Sequence, residues 1–191
     1  MDRWRDDSGF TLTELIVALG LLLIVLGMAY LGLQVVYKSS QVSEIQSVQA
    51  REIGATLTFL EEIASQNLSI EAPTAYSVQF LTDRNNDDIR ERHIISANAD
   101  KTVVDQIWLV NNLGQNTTLR STYTWSRNNA NRALGVPLFH YYRSATTTSA
   151  AVEITNMADV PAKAGKLVID MRVNYQGKAL RDTREVMFRN R

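Results

Sequence analysis

Glu14 is the residue whose setting demands the most chemistry. It stands at the start of Leu15 to Leu33, LIVALGLLLIVLGMAYLGL, nineteen residues without a charge in which Tyr30 holds the only polar side-chain atom. A carboxylate at membrane depth is costly and marks function by default. A headgroup-level Glu near a helix N-terminus, favoured by the helix dipole, is the plainer reading. Catalytic chemistry finds less support. The chain has no cysteine, which removes thiolate metal sites, a cysteine nucleophile, disulfides and a lipoprotein anchor. His93 and His140 are the only histidines. His93 falls on an expected strand and His140 lies between Phe139 and Tyr141-Tyr142. No Ser, His and acid constellation, phosphate loop or His-Glu-x-x-His motif accompanies them. Both histidines read as structural or exposed, and no enzymatic activity is expected.

Two further clusters merit weighing. Asp83-Arg84-Asn85-Asn86-Asp87-Asp88 places oxygen side chains at Asp83, Asn85 and Asp87, with Glu91 nearby. Calcium takes six to eight such oxygens, and the start resembles an EF-hand loop. Gly is missing from the sixth position and an acid from the twelfth, which is Ile94. An Asn/Asp-rich hairpin turn explains the same residues without a metal. No other cofactor is expected. Arg120, Tyr123, Trp125, Arg127 and Arg132 mix cations with aromatics, as single-strand DNA binders do. An exposed strand and loop with ordinary strand aromatics is the plainer reading.

The elements that must position these residues are unevenly distributed. The chain has 191 residues, with twenty basic side chains balancing twenty acidic ones, so no global charge points to nucleic acid. As a helix the nineteen apolar residues span about 28 Å, close to the ~30 Å of a hydrocarbon core, so one membrane span is expected. Arg3 and Arg5 precede it and Lys38 follows it, which places the N-terminus in the cytoplasm and the bulk outside. A cleaved secretory signal would need a small-residue site after the apolar run, and Gly27-Met28-Ala29-Tyr30 offers no convincing one. Val42, Ile45, Val48, Ile53, Leu57, Leu60, Ala64 and Leu68 then recur at three- and four-residue steps, with a slip between Val48 and Ile53. No proline intervenes before Pro73, so one helix from about Phe10 to Leu68 is expected, with a join near Lys38 to Gln41 as the alternative. Beyond Pro73 the sequence reads as strands over 76–81, 92–96, 106–110, 118–125, 138–143, 167–175 and 184–188, parted by Asn, Gly and Asp clusters. The order predicts an α+β fold, with the helix packed on an antiparallel sheet. Residues 34–72 carry two basic and five acidic side chains, and residues 163–191 eight basic and three acidic, a polarity that can orient neighbouring molecules or hold one head together.

Ser8-Gly9-Phe10-Thr11-Leu12-Thr13-Glu14-Leu15 and the apolar run resemble the N-terminal signature of type IV prepilins and pseudopilins. The resemblance implies that a membrane prepilin peptidase cuts between Gly9 and Phe10 and methylates the new terminus of Phe10. It implies that Glu14 pairs with the Phe10 amine of a neighbouring subunit during assembly. The divisions it implies are a leader at 1–9, a transmembrane and assembly half-helix at 10–36, an amphipathic half at 37–72 and a β-rich head at 73–191. The order of elements in the head is similar to minor pilins and minor pseudopilins, and the absent cysteine excludes the disulfide-closed loop of many major pilins. The implied partners are the peptidase, other pilins or pseudopilins and an inner-membrane assembly platform with its ATPase. The implied setting is a single-pass inner-membrane protein that moves into a filament at the cell surface, in a type IV pilus, a competence pilus or a type II secretion system. A membrane-anchored module that binds DNA or a surface is the alternative.

Overall fold

The computed structural model describes residues 11–83, 89–143 and 151–188. One helix, α1, runs from Leu12 to Ser65. Among the described residues eight strands follow: β1 (Asn67–Glu71), β2 (Ser77–Thr82), β3 (Glu91–Ala97), β4 (Val103–Val110), β5 (Asn116–Ser126), β6 (Phe139–Tyr142), β7 (Lys166–Tyr175) and β8 (Lys178–Met187). A 3-10 turn at Met157–Asp159 and a short helix, α2 (Val160–Lys163), precede β7. The architecture is α+β, a long N-terminal helix followed by an antiparallel β head. Contacts divide the chain into two compact units, Met1–Glu44 and Ile45–Arg191.

In the first unit α1 is apolar and bare. Its most hydrophobic eighteen-residue window has a mean hydropathy of 2.6 and is 0% buried, so it is long and apolar enough to cross a membrane. The second unit has its own core. Gln49, Ile53, Thr56, Leu57, Leu60, Ile63 and Ala64 form the buried stripe of α1, a helical 3.6-residue repeat. The slip in the apolar periodicity is thereby explained. Val48 is exposed, and Gln49 takes the buried place one turn before Ile53. Its side-chain amide donates to the Lys178 carbonyl at 2.5 Å, which satisfies a polar group inside the contact.

Residues 67–71, which the periodicity predicts as helix, form β1 instead. Leu68 continues the helical pattern but is exposed, and Ile70 is buried opposite Phe80 of β2. Pairing with β2 outweighs local propensity, as tertiary context often does. The remaining strands overlap the ranges that alternation and turn residues predict, except that β8 begins at Lys178, ahead of the expected 184, because it pairs with β7 along its whole length. Two sheets form rather than one: a five-stranded sheet in the order β1-β2-β3-β4-β5 and a three-stranded sheet in the order β6-β7-β8. Both are antiparallel throughout. Val78, Phe80 and Ile95 from the first and Tyr141, Leu167, Ile169 and Met171 from the second share one core with Ile53, Leu57 and Leu60 of α1.

Residues 127–138 strap the sheets together. Asn129 bridges to Val173, and fully buried Asn131 donates to the carbonyls of Asp170 (2.6 Å) and Pro137 (3.2 Å) while accepting from the Arg172 amide (2.8 Å). One side chain thus satisfies two backbone groups of β7 and one loop carbonyl. At the β7–β8 turn Gln176 and Gly177 both have positive φ, 49° and 77°. Two such residues between Tyr175 and Lys178 make the type I′ hairpin whose twist suits the flanking strands.

Candidate functional site

The first turn of α1 is closed by a reciprocal cap. The Thr11 amide donates to Glu14 Oε2 at 3.0 Å and the Thr11 hydroxyl donates to the same oxygen at 2.9 Å. The Glu14 amide donates back to the Thr11 hydroxyl oxygen at 3.3 Å. The Leu15 amide makes the first i to i−4 bond, to the Thr11 carbonyl at 3.2 Å. This is a capping box, with Thr11 at the N-cap and Glu14 three residues on. It satisfies amide groups that a helix start otherwise leaves open. It also keeps the carboxylate at the helix end where the dipole favours negative charge. Beside it lies a shallow apolar hollow lined by Thr13, Val17, Ala18 and Leu21. Reasoning from the sequence singled out Glu14 but missed Thr11, although Thr-x-x-Glu before an apolar run is the signal for this cap. Gly9 and Phe10, the expected processing residues, lie outside the described residues.

A helix that is apolar and uncovered over its first half, capped by a carboxylate, and followed by a β head defines a membrane-anchored protein of pilin-like architecture. Residues 4–30 match the family model described as Prokaryotic N-terminal methylation motif. The chain therefore carries a type IV pilin-like prepilin signal, and the match takes in residues 4–9 of the expected leader, Phe10, Glu14 and most of the apolar run. No curated protein and no solved structure matches the chain.

The other candidate residues do not converge on one place. His93 lies buried on β3, with Nδ1 2.9 Å from Asp105 Oδ2 on β4. His140, on β6, sits with Nδ1 2.7 Å from Glu153 Oε1. The two histidines belong to different sheets. Asp83 follows β2 and borders a cleft of about 430 Å³ with Leu68, Arg90, Val110, Asn111 and Asn112. Asn85 and Asp87, its expected companions as calcium ligands, lie outside the described residues. Among the described residues no group of three or more His, Asp or Glu side chains is placed to hold a metal.

Most of the cation and aromatic cluster is engaged within the head. Trp125 stacks on Phe59 of α1, ring centroids 3.5 Å apart. Arg120 pairs with Glu91. The Arg132 guanidinium lies 5.4 Å from the centre of the Tyr76 ring and donates to the Ala97 carbonyl. Tyr123 is half-exposed at 49% and leans on Trp125.

Glu52 is a second residue that reading the sequence missed, and its role is structural. Its Oε1 accepts from the Ser126 hydroxyl at 2.6 Å and from the amides of Arg127 and Asn128 at 2.8 and 3.1 Å. Its Oε2 accepts from the Asn128 side chain at 2.9 Å. Thr56, one turn on, donates to the Trp125 carbonyl at 3.0 Å. Together with Gln49 these residues hook α1 onto both sheets. Burial pushes the Glu52 carboxyl pKa up. The hydrogen bonds from Ser126, Asn128 and the Arg127 and Asn128 amides outweigh it and hold the pKa below the usual Glu value. A lowered folded value gives stabilisation that is full above the unfolded carboxylate pKa of about 4.3 and fades as pH falls through the folded value. Glu52→Ala is expected to cost about 3 kcal/mol at pH 7, because several charge-assisted bonds are lost together. Urea unfolding followed by tryptophan fluorescence should show that loss shrinking towards pH 3. A pH-independent loss would contradict a role for the charge.

Proposed function

We propose that this protein is a structural assembly subunit, a minor pilin or minor pseudopilin, of a type IV pilus, competence pilus or type II secretion filament. A prepilin peptidase removes residues 1–9 and methylates Phe10. Cutting ahead of the apolar run keeps the membrane helix in the product, so the same segment serves first as an anchor and then as packing surface in the filament. The half-helix at 10–36 fills that role, and the head beyond it caps, primes or decorates the filament. Other pilins and the inner-membrane platform are the partners. The N-terminus is cytoplasmic and the head is outside, in keeping with Arg3 and Arg5 ahead of the span. The role is structural, and no catalytic step is assigned to it.

The observation that carries this reading is the match of residues 4–30 to the methylation motif, running directly into α1 with Glu14 in its first turn. The absence of cysteine supports a minor rather than a disulfide-closed major subunit. Mass spectrometry of the protein from its native membrane tests it. The mature chain is expected to begin with N-methyl-Phe10. A chain that retains Met1, or that is cut after residue 30, would overturn the reading.

A further inference from the structure

We propose that the cleft at one end of the five-stranded sheet binds a short peptide segment that carries one cationic and one anionic group beside an aliphatic side chain. The inference goes beyond the assembly reading and does not depend on it. The cleft measures about 430 Å³ and is lined by Leu68 of β1, Asp83 after β2, Arg90 before β3, Val110 at the end of β4, and Asn111 and Asn112 of the β4–β5 turn. That size lies within the usual range of ligand pockets, roughly 300–1,000 Å³. Asp83 carries the argument. Its Oδ1 is buried and has no hydrogen-bond partner. A carboxylate oxygen that has lost water without gaining a donor is costly, so it marks a place where a donor binds. Arg90 lines the same cleft. Among the described residues its guanidinium makes no ion pair, and none joins it to Asp83.

Two unpaired charges of opposite sign in one cleft select the ligand. A lone metal cation suits Asp83 but is repelled by Arg90, and a simple anion meets the reverse. A neutral saccharide bonds to both and neutralises neither. A segment with an ammonium and a carboxylate gives each its partner in charge-assisted bonds, and Leu68 and Val110 offer an aliphatic wall for the side chain between them. The walls are built in advance. Asn111 Oδ1 accepts from the amides of Leu113 and Gln115 at 3.0 and 2.9 Å, which closes the turn. Buried Arg92 donates to the Gly114 carbonyl at 3.0 Å and to the Asn116 side chain, and it pairs with Glu71 at 2.7 Å. The Val110 amide donates to the Arg90 carbonyl at 3.0 Å and ties two walls together. A preformed pocket spares the ordering cost of binding.

Isothermal titration calorimetry of the full chain in detergent tests this with three tripeptides and methyl α-glucoside. Unblocked Ala-Leu-Ala is charged at its ends. Acetylated and amidated Glu-Leu-Lys is charged on its side chains, and acetylated and amidated Ala-Leu-Ala is uncharged. One or both charged peptides are expected to bind at least about tenfold more tightly than the uncharged one, a difference of about 1.4 kcal/mol or more. Binding of the unblocked peptide names free peptides as the source, and binding of capped Glu-Leu-Lys names a loop of a partner protein. Asp83→Asn and Arg90→Gln should each weaken that binding about tenfold. Neither should lower Tm, because neither side chain has a partner within the head to lose. No binding of either charged peptide, equal binding of the uncharged one, or wild-type binding in either variant would overturn the proposal. Tighter binding of the glucoside would overturn it in favour of a saccharide. A lower Tm in Asp83→Asn would assign the carboxylate to the fold and overturn it as well.

Discussion

Glu14→Ala is expected to leave cleavage and methylation intact and to lower incorporation into filaments by a hundredfold or more. The expected cut lies between Gly9 and Phe10, so the peptidase does not need the Glu14 carboxylate to find its bond. Under the proposed function assembly does need it. In the proposed filament Glu14 meets the Phe10 amine of a neighbour in an apolar surrounding, and the amine is mostly cationic near neutral pH. Removing one partner of such a pair leaves an uncompensated charge and costs about 3–5 kcal/mol. At about 1.4 kcal/mol per tenfold, that is roughly a hundredfold to a few thousandfold. Loss of the Thr11 cap adds about 1 kcal/mol at the helix start, a smaller term. Immunoblotting of sheared filaments against the membrane fraction, with mass spectrometry of both, gives the answer. A methylated Glu14→Ala chain that enters filaments at the wild-type level would show that the carboxylate does not set assembly.

What could be read in advance divides along the reach of each interaction. The signal from Ser8 to Glu14 and the run to Leu33 are contiguous, so the sequence displays them directly, and residues 4–30 carry the match. The strands of the head show through local alternation, as in β2, where Val78, Phe80 and Thr82 are buried and their neighbours are not. β1 was hidden because Leu68 extends a helical repeat and only pairing with β2 reveals the strand. Glu52 looks like any solvated helix acid, and its partners Ser126, Arg127 and Asn128 stand 74 to 76 residues away. Asn129 and Asn131 read as loop residues, and their bonds to β7 appear only in the folded head. Thr11 is different, since its cap is local and legible. The cost of placing Glu14 near lipid drew attention to the carboxylate and away from the donor three residues before it.

His93→Ala is expected to cost the head about 3–5 kcal/mol, a large share of the stability of an ordinary domain. In the β3–β4 ladder His93 stands opposite Ile107 and Asp105 opposite Ile95, so the two are diagonal neighbours on the core-facing side. Their 2.9 Å bond lies among Phe80, Ile95 and Val103, with His93 at 1% exposure and Asp105 at 0%. Among the described residues Asp105 Oδ1 has no hydrogen-bond partner, and the His93 ring is the side-chain group bonded to this carboxyl. Alanine removes that group and leaves a cavity as well. Charge and packing separate in a double-mutant cycle. His93→Leu alone keeps most of the volume and still strands Asp105, so it should remain strongly destabilising. His93→Leu combined with Asp105→Val removes both polar groups and should recover most of the loss, because a buried pair replaced by apolar side chains is often neutral or better. Urea unfolding followed by tryptophan fluorescence measures each corner. If the two single losses simply added, the pair would contribute only through packing; recovery in the double variant would assign the cost to the abandoned carboxyl.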